Sequence, residues 1–209
     1  MIANSGCVAS VICLPVLVGL LSPLKRFNRV AFYCLAVAAP ILSLLILLRS
    51  GIDPNPIVLG KYFVFSLDTY SFAYATLVDI CWVLTLIYSA GYVPFHFQEK
   101  AETFHRYIAF AVALSLATGL SGNFFSMLLF YFLSIPVIAP LISLRQTPEA
   151  QNAMRVYLKA TLLPFLLIAV PAILWHFPLF ESFDGYTLKS LGISDSHAAI
   201  LLAALIIGF

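Results

Sequence analysis

Charge is the scarcest resource in this sequence. Lys, Arg, Asp and Glu make up 10% of its 209 residues, against roughly 25% in an ordinary soluble domain. The formal net charge is +2, so no basic field exists to hold nucleic-acid phosphates. Cysteine is sparse, and Cys7, Cys13, Cys34 and Cys81 all fall in apolar runs. None has the CxxC spacing of a zinc or redox site, and nothing favours haem or iron–sulfur ligation, so the four read as small buried hydrophobes. There is no phosphate-binding glycine loop, no nucleophile elbow and no dinucleotide fingerprint. These absences remove most covalent chemistry, and no cofactor or metal is expected.

What fills the space instead is apolar. Hydrophobic residues are 62% of the chain and mean hydropathy is +1.02. No soluble fold has interior enough to hide that surface. The fold class is therefore all-α: a polytopic membrane helix bundle.

The first apolar run spans Cys7 to Leu21, with no charge before it and Lys25, Arg26 and Arg29 after it. A signal peptide has the opposite order, so a retained helix with its N-terminus outside is expected. The second run, Val30 to Leu48, contains Pro40. The stretch from Arg49 to Ser66 reads as a loop rich in Gly and Pro, ending in Tyr62-Phe63-Val64-Phe65. Those aromatics would lie flat at the interface or form a short strand. The third helix covers Tyr70 to Tyr92. Tyr107 to Leu144 then runs about 38 positions without a charge, too long for one ~30 Å crossing. A break at Ser121-Gly122-Asn123 gives a tight hairpin of Tyr107–Leu120 and Asn123–Leu144, the latter with Pro136 and Pro140. Thr147-Pro148-Glu149 is a helix-start signature for a sixth helix, whose membrane part runs from Val156 to Trp175. A wet loop from Phe177 to Ser196 follows, and His197 to Phe209 is a truncated seventh helix that ends short of a full crossing.

The loops after helices one, three and five hold Lys25, Arg26, Arg29, Lys100, Arg106, Arg145 and Arg155, whereas the other side holds Arg49, Lys61 and Lys189. Lysine and arginine bias places the first group in the cytoplasm, as a multi-pass protein of the cell inner (cytoplasmic) membrane.

In a bilayer, ionisable residues far from water are the informative ones. Asp79 sits near the middle of the third helix, with Thr76 and Ala75 on the same face. It is either a proton or cation relay or a structural carboxylate bonded within the bundle. Lys159 lies one turn beyond Arg155 and either snorkels to the interface or lines an ion path. His96 and His105 sit beside Glu99 and Glu102 and read as a solvated charge cluster; His176 and His197 flank the outer loop. Trp82 and Trp175 read as packing residues or interface anchors.

Several motifs occur in a telling order. Phe65-Ser66-Leu67-Asp68-Thr69-Tyr70-Ser71 resembles the start of the third helix in proton-conducting antiporter-like membrane subunits, and Tyr88-Ser89-Ala90-Gly91-Tyr92 resembles its end. Asn123 with Leu129-Phe130-Tyr131 is similar to their fifth helix. Thr147-Pro148-Glu149-Ala150 with Tyr157-Leu158 and Thr161-Leu162 is similar to their following loop and sixth helix. The family includes large membrane subunits of NADH:quinone oxidoreductase, of multisubunit cation/proton antiporters and of membrane-bound hydrogenases. The resemblance covers Phe63 to Phe209 and divides the single membrane domain into leading helices 1–2 (residues 1–62) and antiporter-like helices 3–7 (63–209).

The resemblance implies inverted five-helix repeats with broken helices at an ion path. It also implies a fifth-helix carboxylate paired with lysines. Here that carboxylate position is Phe132, which can carry no proton, and the second repeat is absent. The implied role is an ion-translocating subunit of a multisubunit complex of respiratory, antiporter or hydrogenase type. It would move protons, with sodium as the other ion in question, and would be completed by other membrane subunits, among them a polypeptide supplying the missing repeat. The chain reads more as a transporter subunit than as an enzyme. The alternative is a non-conducting structural or degenerate module of such a complex. An unrelated membrane enzyme or small transporter lacks a polar constellation to support it.

Overall fold

The computed structural model describes residues 2–26, 28–59, 62–97 and 100–171, with 174 and 203. His176, Trp175, His197, the loop from Phe177 to Ser196 and the truncated seventh helix lie outside the described residues. Six α-helices are described: α1 (Ile2–Leu20), α2 (Arg29–Ser50), α3 (Thr69–Phe97), α4 (Ala101–Gly119), α5 (Phe124–Ile142) and α6 (Pro148–Pro164). A 3-10 turn (Ser22–Arg26) joins α1 to α2, and a π turn (Phe165–Ala169) continues α6.

Local chemistry sets the helix ends. Asn28 caps α2 by accepting from the Ala31 amide at 3.0 Å, and Gly51, with φ of +67°, ends it by donating to the Leu47 carbonyl. A left-handed residue at that place favours glycine. Asp68 accepts from the Ser71 amide at 2.7 Å as α3 begins. Asn123 caps α5 and Thr147 caps α6, with Pro148 in the first turn. The expected break at residues 121–123 and the expected start of α6 are both observed.

The chain departs from all-α in one place. The stretch from Arg49 to Ser66, expected as a loop with either a flat aromatic end or a short strand at Tyr62–Phe65, holds an antiparallel hairpin of β1 (Asp53–Leu59) and β2 (Phe63–Leu67), so the strand alternative is the one observed; Ile57 pairs with Phe65, Val58 with Val64 and Leu59 with Phe63. Pro54 and Pro56 lie where the register is irregular, a position that tolerates the missing amide. From Val64 to Leu67, β2 is buried. Its second edge is bonded by the α4–α5 turn: the Ser66 amide donates to Leu120 O at 3.0 Å and the Gly122 amide donates to Val64 O at 2.7 Å. The Val64 amide donates to Ser126 Oγ, and Asn123 Nδ2 donates to Tyr62 O at 2.9 Å. Non-helical backbone buried in a bundle needs its amides and carbonyls answered in this way.

Helix α4 is central, packed along α1, α3 and α5, while α2 joins α1 to α3 and α6 lies on α5. His105, Ala109, Ala113 and Ala117 form its buried stripe, and small side chains at that spacing let neighbours approach closely. Outward faces are apolar: Leu45 and Leu48 on α2 and Leu84 and Ile87 on α3 are exposed. Inward positions hold Ser43, Asp79, Ser89, His105, Asn123 and Ser126. A polar lining inside an apolar coat suits lipid, not water. Helices α2, α3 and α5 are long and apolar enough to cross a membrane. At 29 residues, α3 reaches about 43 Å, longer than a ~30 Å hydrocarbon core, and Phe95 near its end is 82% exposed. Cys7 is buried as expected, but Cys13, Cys34 and Cys81 face outward.

Candidate functional site

Helix α3 buries one stripe, which runs Ser71, Ala75, Asp79, Trp82, Leu86, Ser89 and Val93. The spacing alternates three and four, so these side chains share one face. Two polar sites lie along it.

The first is Asp79, with no exposed surface. Its Oδ2 accepts from Ser43 Oγ of α2 at 2.6 Å, and Ser43 is also fully buried. The partner is thus on the neighbouring helix and not Thr76, whose hydroxyl donates to the Phe72 carbonyl one turn back. Ala75 does lie on the buried face. Two buried polar atoms here have no hydrogen-bond partner among the described residues: Asp79 Oδ1 and Trp82 Nε1. Trp82 is 1% exposed and packs with Val18, Phe32, Ala36, Ala39, Leu86 and Ala109. It is a core residue and not an interface anchor.

The second site lies at the end of the bundle that carries Lys25, Lys100 and Arg106. His105, expected in a solvated cluster, is 1% exposed. Its Nε2 lies 3.2 Å from Ser89 Oγ, and its Nδ1 lies 2.5 Å from Ala101 O and 3.3 Å from Lys25 Nζ. One nitrogen therefore faces both an acceptor and an amine. Protonated, it donates to the carbonyl; unprotonated, it accepts from the ammonium. The rings of Phe32, Tyr33 and Phe104 stand edge-on to the imidazole, and Lys25 Nζ lies 5.0 Å from the Tyr33 ring centre. His105 is the fifth residue of α4, within its polar start and ahead of the apolar stretch from Tyr107. Burial above all pushes its pKa down to about 4, the Ala101 bond opposes that, and the charges of Lys25 and Arg29 add to it. Lys25 is lowered to about 8, by burial first and then by Arg29. Nearby, Arg106 pairs with Glu102 and donates to Ser22 Oγ. His96 is outside this cluster, exposed and stacked on Tyr92.

The other expected residues are not brought to either site. Lys159 is exposed on α6. Phe132, on α5, is 40% exposed and lies 6.3 Å from Phe165, the first residue of the π turn. Tyr131 packs on the same ring at 5.0 Å. The position where a carboxylate was implied is thus an aromatic contact between α5 and the end of α6. Among the described residues no cluster of His, Cys, Asp and Glu could hold a metal ion.

The fold has a solved counterpart. The chain is similar to one in the structure of the membrane-bound sulfane sulfur reductase, an archaeal respiratory membrane complex, with a TM-score of 0.71 and 16% identity over 96% of this chain and 43% of that one. The fold is shared. The chain spans less than half the length of that counterpart. No family model matches the sequence, and no curated protein does.

Sequence reasoning placed Asp79 inside the bundle but did not find Ser43 or the orphan indole. It missed His105, Lys25 and Ser89 as a group. A signal for His105 was available: positions 105, 109, 113 and 117 read His, Ala, Ala, Ala, the small-residue stripe of a packed helix face.

Proposed function

We propose that this chain is an antiporter-like subunit of a multisubunit membrane complex, and that Asp79 lies on its ion path. The observation that carries the proposal is a carboxylate with no exposed surface and no ion pair among the described residues, within a fold shared with a chain of a respiratory membrane complex. An ionisable group held in a bilayer without a counter-charge is costly, and transport is the usual reason to keep one. The ion is a proton or a monovalent cation. Residues 1–62 supply two leading helices and the rest begins the antiporter-like unit. Other membrane subunits are its partners, one of them supplying a second repeat. The end bearing Lys25, Lys100, Arg106 and Arg145 faces the cytoplasm of a cell inner membrane, and the N-terminus lies outside. Lys159, exposed on α6, would join the path only through a partner's surface.

The test is ion flux in proteoliposomes holding the full complex. Asp79→Asn and Asp79→Ala should abolish it while the complex still assembles. Unchanged flux removes Asp79 from the path.

Phe132 favours a second reading, a non-conducting module that packs against partners. Under it, the native complex shows no flux attributable to this chain, and Phe132→Glu loosens the contact with Phe165 without creating transport.

A further inference from the structure

A cavity of about 490 Å³ lies where the end of α3 and the start of α4 face the turn between α5 and α6, lined by Phe95, His96, Phe97, Lys100, Arg145 and Thr147. A second, of about 390 Å³, shares Lys100 and Leu144 with it and is lined otherwise by uncharged side chains, among them Tyr107, Gln146 and Gln151. No lining side chain of either is acidic. The cations are held but not neutralised. Lys100 Nζ donates to the Leu144 carbonyl at 3.0 Å, which leaves its other donors free. The Arg145 guanidinium lies 6.0 Å from the centre of the Phe97 ring, a contact that positions the charge without cancelling it. Among the described residues neither cation forms an ion pair, and Glu102 is taken by Arg106. Glu99 lies outside the described residues. Two further donors border the cavity. His96 Nδ1 lies 3.0 Å from the Tyr92 carbonyl, which leaves Nε2 for another partner. Thr147 Oγ1 accepts from the Ala150 amide and keeps its O–H to donate.

The length of α3 sets the depth of this cavity. Its 29 residues exceed a hydrocarbon core by about 13 Å, so a helix centred on the core carries about four residues of each end into the headgroup layer. At this end those residues are Pro94 to Phe97. Phe95 borders the cavity and is still 82% exposed. A small free anion has no use for such a ring, whereas an acyl chain covers it. Cations beside an exposed aromatic at headgroup depth match a ligand that is anionic above and apolar below. A zwitterionic lipid would bring an ammonium group that Lys100 and Arg145 repel. We propose that this cavity binds the headgroup of an anionic phospholipid, with its phosphate between Lys100 and Arg145 and its acyl chain against Phe95. Basic pockets between transmembrane helices bind anionic headgroups in this manner. The site needs the bundle to lie in a bilayer and does not need an ion path.

The test uses the assembled complex in phosphatidylcholine nanodiscs that contain a trace of phosphatidylglycerol with a photoreactive headgroup. Light should attach the label to peptides holding residues 95–97 and 143–147. Unlabelled phosphatidylglycerol should compete the label away, and added phosphatidylcholine or inorganic phosphate should not. Arg145 is exposed, so Arg145→Gln leaves the packing intact. It should lower the labelling about fivefold, the effect of one basic residue at an anionic membrane surface, and Arg145→Lys should restore most of it. Labelling unchanged in Arg145→Gln overturns the proposal, and so does equal competition by phosphatidylcholine. Competition by inorganic phosphate assigns the cavity to a free anion and overturns the lipid. An unlabelled cavity in the assembled complex also overturns it, as an acidic segment of a partner subunit seated there would produce. Flux is a separate readout: labelling that passes these controls stands even where Asp79→Asn leaves flux unchanged.

Discussion

The contact between Ser43 and Asp79 can be tested as a coupled pair. Both side chains have no exposed surface, and the hydroxyl donates to Oδ2 at 2.6 Å. Because Oδ1 already lacks a partner, Ser43→Ala leaves both carboxylate oxygens unanswered. A hydrogen bond to a charged group contributes roughly 1.5–3 kcal/mol. Interhelical bonds in membranes average about 0.6 and reach about 1.7 kcal/mol, because the unfolded chain finds other partners in lipid. Full burial and a short bond put this pair near the upper membrane value, so Ser43→Ala should cost about 1.5 kcal/mol, or roughly tenfold in the folding equilibrium. In an Asp79→Leu background the same change should cost under about 0.5 kcal/mol, since replacing both partners by apolar groups is nearly neutral. The coupling of about 1 kcal/mol would be read from reversible unfolding in bicelles, with all four chains of the cycle followed by tryptophan fluorescence. An equal cost of Ser43→Ala in both backgrounds would refute the reasoning, because Ser43 would then act by packing and not through the carboxylate.

Three further outcomes are expected. A Cβ on Gly119 would overlap the ring of Tyr74, whose hydroxyl bonds Ser115 Oγ at 2.7 Å; Gly119→Ala should cost about 1–3 kcal/mol and cost little in a Tyr74→Ala background, read by thermal unfolding in detergent. Asn123→Ala removes both the cap on α5 and the bond to Tyr62 O, and should cost about 2 kcal/mol, with faster amide exchange in β2. The His105 ring is held neutral, with its pKa lowered from 6.5 to about 4, so the unfolded chain binds more protons between those values. Stability is then full above about pH 6.5 and falls toward pH 4, by at most about 3 kcal/mol; His105→Gln should flatten that slope in a pH series of unfolding curves, and an unchanged slope would assign it elsewhere.

Helix ends were legible because capping is local. Asn123 and Thr147-Pro148-Glu149 announce α5 and α6 through residues three positions apart, and the structure agrees. Asp79 was legible because hydropathy alone puts it far from water. Its partner was not, since Ser43 is 36 positions away and only the packing of α2 on α3 joins them. His105 was misjudged because its sequence neighbours Glu102 and Arg106 are charged. On a helix those two pair with each other, while His105 continues the buried alanine stripe. The second strand was legible as an alternative in Tyr62-Phe63-Val64-Phe65, whereas the first was hidden by Pro54 and Pro56, which read as loop residues. An irregular register takes them up, and much of what fixes β2 comes from the α4–α5 turn, distant in sequence.

That stitching of β2 has a mechanical consequence. Hydrogen bonds from residues 120–126 fasten the strand that leads into α3 to the junction of α4 and α5. Three helices are thereby tethered at one end of the bundle, where sliding past one another would break these bonds. A rearrangement that kept these bonds would carry the three helix ends together. At the opposite end the helices are joined through side chains: His105 of α4 lies 3.2 Å from Ser89 of α3, Arg106 donates to Ser22, and Lys100 reaches the Leu144 carbonyl. One end of the bundle is thus fastened by backbone bonds to a two-stranded ribbon, and the other by side chains alone.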